Sequence, residues 1–396
     1  MKLKENDNVP EIRFDSFKEE WDKKRFKDFT KLSQGLQIAI SSRFLEDRYF
    51  YITNEFLNPN STKKYYIESP SENVICTVDD ILMTRTGNTG KVITNISGAF
   101  HNNFFKVDYD KFETSKMFLY YLLTSNDIQK EIIIRAGNST IPDLNHSDFY
   151  SIKTSVPALD EQTAIGALFR TLDDLLARYK DNLTNYQSLK ATMLSKMFPK
   201  DGQTVPEIRL DGFEEEWGKD TLEPYLTESR ISGDTGLTAK KITVKLWGKG
   251  VIEKEEKYAG SSNTQYFIRK GGQFIYSKLD FQNQAFGIIP NELNGYQSTL
   301  DLPTFDIQNI DSKFLLEYVM RREFYEYQGL IANGSRKAKR IHPEDFLVMP
   351  VRIPSIEEQQ AIGAYFSNLD NLINSHQEKI SQLEILKKKL LQDMFI

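Results

Sequence analysis

The sequence predicts an α+β protein built twice: two globular inserts separated by two long helices that form an antiparallel coiled coil, with an internal pseudo-twofold repeat. Three observations predict it. The segment Val9-Pro-Glu-Ile-Arg-Phe-Asp-Ser-Phe-Lys-Glu-Glu-Trp21 returns as Val205-Pro-Glu-Ile-Arg-Leu-Asp-Gly-Phe-Glu-Glu-Glu-Trp217, ten of thirteen positions identical at an offset of 196. The segment Pro157-Ala-Leu-Asp-Glu-Gln-Thr-Ala-Ile-Gly-Ala-Leu-Phe169 returns as Pro354-Ser-Ile-Glu-Glu-Gln-Gln-Ala-Ile-Gly-Ala-Tyr-Phe366 at an offset of 197. Each copy of that second segment then opens a long run with apolar residues every three or four positions, a helical seam. A period near 200 is far longer than the roughly 20–50 residues of a solenoid unit. The chain is a duplicated domain pair.

Taken in order, residues 1–29 form a scaffold segment, repeated at 197–225; residues 30–150 are a first insert; 151–200 carry the first long helix; 201–225 repeat the scaffold segment; 226–346 are a second insert; and 347–396 carry the second long helix. Asp160 can cap the first helix, which runs without proline until Pro199 stops it. Its seam reads Leu168, Leu172, Leu175, Tyr179, Leu183, Tyr186, Leu189, Met193, Met197. The second reads Leu369, Leu372, Ile380, Leu383, Leu386, Leu390, Met394, with His376 where Tyr179 stands. Such a helix spans about 57 Å, longer than one compact domain needs, so pairing the two copies is the simplest way to cover both seams. Closing the order segment, insert, helix on itself makes the halves equivalent and brings the chain ends together.

The inserts carry short strand patterns. Val78–Thr84 and Gly271–Tyr276 read as matching buried strands, followed by Arg85-Thr-Gly-Asn-Thr-Gly-Lys91 and Ser277-Lys-Leu-Asp-Phe-Gln-Asn-Gln284. A helix follows each (117–133 and 313–327), then a glycine-led polar loop, Gly137-Asn-Ser-Thr140 and Gly334-Ser-Arg-Lys337.

Hydrophobic residues make up 39% and aromatics 12%, enough for packed cores. No apolar run reaches the length of a membrane span, and Met1–Asp7 has no apolar leader core, so a cytoplasmic protein is expected. The single cysteine, Cys76, excludes an internal disulfide framework and a cysteine-based zinc site. A net charge of −5 argues against a nonspecific nucleic-acid coat protein but leaves local basic surface open. Such clusters lie at Ser335-Arg-Lys-Ala-Lys-Arg340 and at Lys240, Lys241, Lys245 and Lys249, where a merely solvated surface is an equal reading.

Catalytic motifs are missing. Arg85-Thr-Gly-Asn-Thr-Gly-Lys-Val92 lacks the first glycine and the Ser or Thr of a P-loop. Asp301-Leu-Pro-Thr-Phe305 lacks the paired prolines of adenine amino-methylating enzymes, and Glu255-Glu-Lys257 has no Pro-Asp before it to complete a nuclease metal motif. His101, His146, His342 and His376 are scattered, so no metal or acid–base site assembles. The polar loops therefore bind rather than react. Candidate DNA contacts are Thr84, Arg85, Asn88, Lys91, Asn138, Ser139, Lys278, Gln282, Asn283, Arg336, Lys337 and Lys339, residue types that bond base edges or phosphates. Gly87, Asn88 and Gly90 read equally well as a plain hairpin turn.

At this point the chain resembles, over essentially its whole length, the specificity subunit of type I DNA restriction–modification enzymes. The matching residues are Pro157 with Glu161-Gln162-Thr-Ala-Ile165, Pro354 with Glu358-Gln359-Gln-Ala-Ile362, the Leu172-Asp173 and Leu369-Asp370 pairs, and the closing Met197-Phe198 and Met394-Phe395. The glycine-led loop before each helix agrees. The resemblance implies that the inserts are target recognition domains, each reading half of a bipartite DNA target. It implies that the helices set the spacer and dock two methyltransferase subunits, with restriction–translocase subunits recruited to the assembly. This chain would be non-catalytic: S-adenosylmethionine, ATP and Mg²⁺ would belong to the partners, which methylate adenine or restrict DNA. Interface positions are then Glu161, Gln162, Ile165, Leu172, Leu175, Tyr179, Leu183, Glu358, Gln359, Ile362, Leu369, Leu372, Ile380 and Leu383. The second insert departs by having Lys-Leu-Asp-Phe-Gln-Asn in place of Thr-Gly-Asn-Thr-Gly. A duplicated coiled-coil adaptor that binds protein without DNA readout is the alternative from another class.

Overall fold

The computed structural model describes residues 9–137, 140–255, 260–331 and 340–396. The chain divides into two compact units, Met1–Lys180 with Glu378–Ile396, and Asp181–Gln377. Both cuts fall inside the two long helices, Leu159–Lys196 and Ile356–Asp393, which run 38 residues each. Each unit therefore contains one insert, the start of its own long helix and the end of the other.

Burial in the long helices begins at Glu161 and Glu358, ahead of the first seam residues Leu168 and Leu369. The first helix opens at Leu159, so Asp160 lies within the first turn rather than at the cap, where its charge still suits the helix dipole. Each helix has one interior glycine, Gly166 and Gly363, which costs about 1 kcal/mol of helix propensity. Space explains both. A Cβ on Gly166 would stand 2.9 Å from Met117 Cβ and from the Phe118 nitrogen, and one on Gly363 would stand 2.9 Å from Lys313 Cβ.

Unit 1 holds an antiparallel sheet in the order Thr30–Gln34, Phe104–Tyr109, Ile81–Thr84, Val92–Thr94. A second sheet runs Tyr66–Glu68, Arg48–Ile52, Gly98–Phe100, Ile75–Cys76, with one parallel pairing, Tyr51–Ile52 on Ala99–Phe100. Unit 2 repeats the first sheet as Leu226–Glu228, Thr304–Ile307, Phe274–Tyr276, Phe286–Ile288. Its other strands differ: a three-stranded sheet (Ile231–Thr235, Gln265–Ile268, Gln297–Ser298) and a separate hairpin (Ile242–Val244 with Val251–Glu253). Each insert is closed at its neck by a two-stranded ribbon, Asp22–Arg25 with Lys153–Val156 and Gly218–Thr221 with Pro350–Ile353.

The helix expected at 117–133 is two helices, Lys116–Thr124 and Asn126–Ala136, and its counterpart at 313–327 is likewise two, Ser312–Met320 and Arg322–Gln328. The break residues are buried Ser125 (ψ 151°) and buried Arg321 (ψ 142°), both extended. Ser125 stands at the N-cap of the second helix, a position serine favours, whereas tertiary packing holds Arg321: its guanidinium lies 4.6 Å from the Phe198 ring centroid and 4.1 Å from that of Tyr318.

Within each unit the two helix segments run antiparallel. In unit 1, Asp173 is bonded to Lys387, and Lys180 bonds Glu384 at 2.7 Å. In unit 2, Lys190 bonds Asp370 at 2.8 Å, and the Tyr186 and His376 rings lie 5.2 Å apart. The end of the second helix meets the start of the chain, where the Ile12 amide donates to the Asp393 carbonyl at 3.1 Å, as Ile208 donates to Lys196 at 2.9 Å. The core of unit 1 gathers Trp21, Phe118 and Phe169 with Met394 and Phe395; that of unit 2 gathers Trp217, Phe314 and Phe366 with Met197 and Phe198.

Candidate nucleic-acid interface

In unit 1 the candidate loop is the turn of the hairpin Ile81–Thr84 / Val92–Thr94. Three of its residues take left-handed backbone, Gly87 (φ 62°), Asn88 (φ 60°) and Gly90 (φ 87°), which only glycine and, at modest cost, asparagine adopt readily. The string Thr-Gly-Asn-Thr-Gly is thus a turn specification. Thr84 is fully buried, its hydroxyl donating to the Asn88 carbonyl at 2.6 Å and accepting from the Lys91 amide at 2.9 Å. It shapes the loop and is not placed to touch a ligand. Asn54 braces the loop from below by donating to the Thr86 and Gly87 carbonyls at 3.1 and 3.0 Å, and Gln129 donates to Gly90 at 2.8 Å. Arg85 is tied to Asp143 (2.7 Å) and the Leu144 carbonyl (3.3 Å) and lies 5.6 Å from the centre of the Phe105 ring. Burial, and then the Arg85 charge, hold the neighbouring His146 below the ordinary histidine range. Asn88 and Lys91 are exposed, the side chains of this loop that face solvent freely.

In unit 2 the loop at the same sheet position joins Phe274–Tyr276 to Phe286–Ile288. It is organised by a buried aromatic. Phe281 packs at 5.7 Å from Tyr276 and 4.9 Å from Phe286. Asp280 is spent internally, bonded to Ser277 and accepting from Asn283 Nδ2 at 3.2 Å. Gln282 is exposed, while Lys278 and Asn283 are half-buried. The brace here is a distant hairpin: the Trp247 amide donates to the Asn283 carbonyl at 2.8 Å, and Gly248 donates to Gln284 at 3.0 Å. Sequence reasoning missed Trp247, Asn54 and Gln129. A Trp-Gly turn between lysines was the available signal for the first; the other two carry none, because their partners are backbone carbonyls far along the chain.

Asn138, Ser139, Arg336, Lys337 and Lys339 lie outside the described residues, with most of the basic run ending at Arg340. In the other basic cluster, Lys241 is buried and donates to the Gly236 carbonyl at 2.6 Å, so it is no part of a charged surface. Lys245 and Lys249 are exposed.

Among the scaffold positions, Glu161 and Gln162 are buried, with side chains bonded to the N-terminal scaffold segment and the insert. Glu161 takes Arg13 in a two-pronged ion pair (2.6 and 2.7 Å) and accepts from the Trp21 indole at 3.2 Å. Glu358 takes Arg209 in the same way (2.8 and 2.7 Å). Gln162 accepts from the Ser115 amide and donates to the Pro157 carbonyl; Gln359 does so with Asp311 and Pro354. The two repeated motifs thus meet each other. Ile165, Leu172, Ile362 and Leu369 are core residues. Leu175 and Leu372 are exposed, and Leu176 is buried in place of Leu175, because the seam takes a step of four there. Tyr179, Leu183, Ile380 and Leu383 are half-buried. Among the described residues no cluster of His, Cys, Asp or Glu is arranged to hold a metal ion, and no helix is long and apolar enough to cross a membrane.

A doubled framework presenting two braced hairpin loops is the architecture of this chain. The chain belongs to the type I restriction modification DNA specificity domain family, whose model matches residues 18–185 and 232–385. The type I restriction enzyme MjaVIII specificity subunit of Methanocaldococcus jannaschii is 22% identical, the match covering 99% of this chain and 96% of that protein. The crystal structure of the S subunit of a type I restriction–modification system from M. genitalium matches with a TM-score of 0.63 at 16% identity, over 98% of this chain and 99% of that one. A structure from work on complex assembly and conformational transition of the type I R-M system matches with a TM-score of 0.50 at 14% identity, over 94% and 96% of the two chains. Specificity for DNA is the role this family supports; an adaptor for protein partners alone is not favoured.

Proposed function

We propose that the chain reads a bipartite DNA sequence, each insert recognising one half-site through the hairpin loop at the end of its four-stranded sheet. One observation carries this reading: the same sheet position in both units presents an externally braced polar loop, and the two loops differ in residues and brace while the framework beneath them repeats. Asn88, Lys91 and Gln282 are then the foremost contacts with base edges and phosphates, and Arg85, held by Asp143, positions the first loop.

Residues 30–150 and 226–346 act as the recognition modules, and the long helices set the spacer and dock methyltransferase subunits. Restriction–translocase subunits join that assembly. Methyl transfer to adenine and ATP-dependent restriction belong to those partners, with S-adenosylmethionine, ATP and Mg²⁺, and the whole works in the cytoplasm. The test is a genome-wide map of methylated adenines in cells with and without this chain. The expected result is a split motif modified only when the chain is present; an unchanged map overturns the reading.

A further inference from the structure

Beside the second candidate loop stands a hairpin whose tip is built unlike anything among the described residues of unit 1. Strands Ile242–Val244 and Val251–Glu253 are joined by Lys245-Leu-Trp-Gly-Lys-Gly250, closed by the Lys245 amide donating to the Gly250 carbonyl at 2.8 Å. Of the three tryptophans in the chain, Trp21 and Trp217 are 1% and 2% exposed, whereas Trp247 is 57% exposed. Leu246 beside it is also exposed. An indole more than half exposed gains little from burial, so core packing does not account for its position.

Its backbone is strained as well. Trp247 has φ +59°, a left-handed conformation that a bulky side chain rarely takes. Two bonds hold it there, from the Trp247 amide to Asn283 and from Gly248 to Gln284, and Met320 lies close under Gly248, where a Cβ would come within 2.2 Å of its terminal methyl. The tip is therefore fixed in place against the loop that carries Gln282 and Asn283. Strain of this kind persists where the surroundings over-determine it, often at binding sites.

The charge of the tip selects its occupant. Lys245 and Lys249 are exposed on either side of the indole, residues 245–250 include no carboxylate, and the nearby Asp280 is engaged with Ser277 and Asn283. A rigid aromatic flanked by cations suits a polyanion with flat apolar faces.

We propose that the Lys245–Lys249 tip is a second DNA-contacting element of the second insert. Trp247 makes an apolar contact on the bases beside those faced by Gln282, and the two lysines neutralise flanking phosphates. This rests on the DNA-reading function proposed above. Among the described residues the tip has no counterpart at the first loop, whose brace is the Asn54 side chain, so only one half-site depends on it.

The experiment uses the full chain assembled with its methyltransferase subunits and a labelled duplex bearing the split motif from the methylation map. Trp247→Gly is expected to weaken binding about 5- to 150-fold, the range of one lost aromatic–base contact. The variant should melt no lower than the parent, because glycine takes φ +59° without penalty. Trp247→Phe should retain most of the affinity. Replacing Lys245 and Lys249 by alanine should reduce the slope of log K against log salt by about 1.8. The emission that disappears in Trp247→Phe should shift on adding the duplex. Unchanged affinity in Trp247→Gly, or no shift in that emission, overturns the proposal. Loss of a protein subunit from the assembly, with DNA binding by the remainder intact, overturns it in favour of a protein contact. A parent assembly that binds target and scrambled duplexes equally overturns the DNA-reading function itself.

Discussion

The lock between Arg13 and Glu161 recurs almost bond for bond as Arg209 with Glu358, whereas the loops those locks carry share little beyond their place in the sheet. Arg13 also donates to the Glu19 carbonyl at 2.5 Å and Arg209 to that of Glu215 at 2.6 Å. Against this, one loop is made of three left-handed residues on an asparagine brace, and the other of a buried phenylalanine on a hairpin brace. The difference teaches where the physical constraints lie. A buried carboxylate left without its guanidinium is costly, so the scaffold tolerates few alternatives. A surface loop need only satisfy its own backbone, and many sequences do so.

The largest effect should come from dividing the molecule. What the second helix supplies to unit 1, Lys387, Leu390, Met394 and Phe395, the first helix carries at matching positions as Lys190, Met193, Met197 and Phe198. A fragment of residues 1–200 is therefore expected to dimerise, a second copy filling the place of the missing helix end. Sedimentation equilibrium decides it, and a monomer would break the equivalence of the halves.

Next come the locks. Glu161→Ala and Glu358→Ala should each cost about 3 kcal/mol, since each strands a largely buried arginine. The first should cost more, because Glu161 also accepts from the Trp21 indole, while the Trp217 indole nitrogen has no partner among the described residues. Calorimetric melting of the two variants side by side would reveal equal costs if that extra bond is inconsequential.

The helix glycines should follow. Gly166→Ala and Gly363→Ala gain helix propensity but force the helix off the neighbouring turn at Met117–Phe118 or Lys313–Phe314, for a net loss of about 1–2 kcal/mol. Denaturant midpoints measure it; a stabilised variant would mean the contact yields.

The smallest effect sharpens the comparison by pH. Lys190 is sandwiched between Asp370 and buried Glu317; its counterpart Lys387 meets Asp173, and Tyr121, bonded to Asp173, stands where Glu317 does. Burial pushes the Glu317 carboxyl up, against the pull of Lys190, and pushes the Tyr121 hydroxyl far upward. A carboxyl raised in the folded state adds stability below its unfolded pKa and loses it as pH rises through the folded one. Removing Lys190 raises Glu317 further. Lys190→Ala should thus cost about 2 kcal/mol at pH 8 and less at pH 5. Lys387→Ala should cost about 1 kcal/mol at both, because Tyr121 stays neutral throughout. Melting temperatures at the two pH values test this, and a flat profile for Lys190→Ala would remove Glu317 from the account.

By itself the sequence determined the duplication, the two long helices and the turn residues of the first hairpin. These rest on local rules: identity at a fixed offset, an unbroken three-or-four step, and one Gly-Asn turn suited to left-handed backbone. Tertiary structure alone decided what each element meets. Glu161 was legible as a repeated position, but its partner Arg13 lies 148 residues away, and no periodicity joins them. Leu176 and Leu175 are equally apolar, and only the surface opposite selects the buried one. Arg321 breaks a helix that local propensity would continue, because packing around it outweighs a turn of helix. Trp247 became a candidate only when its amide was found on Asn283. Non-local contacts form through long closed loops of chain, and the pairing of their ends follows from the free energy of the whole fold, which no window of sequence contains.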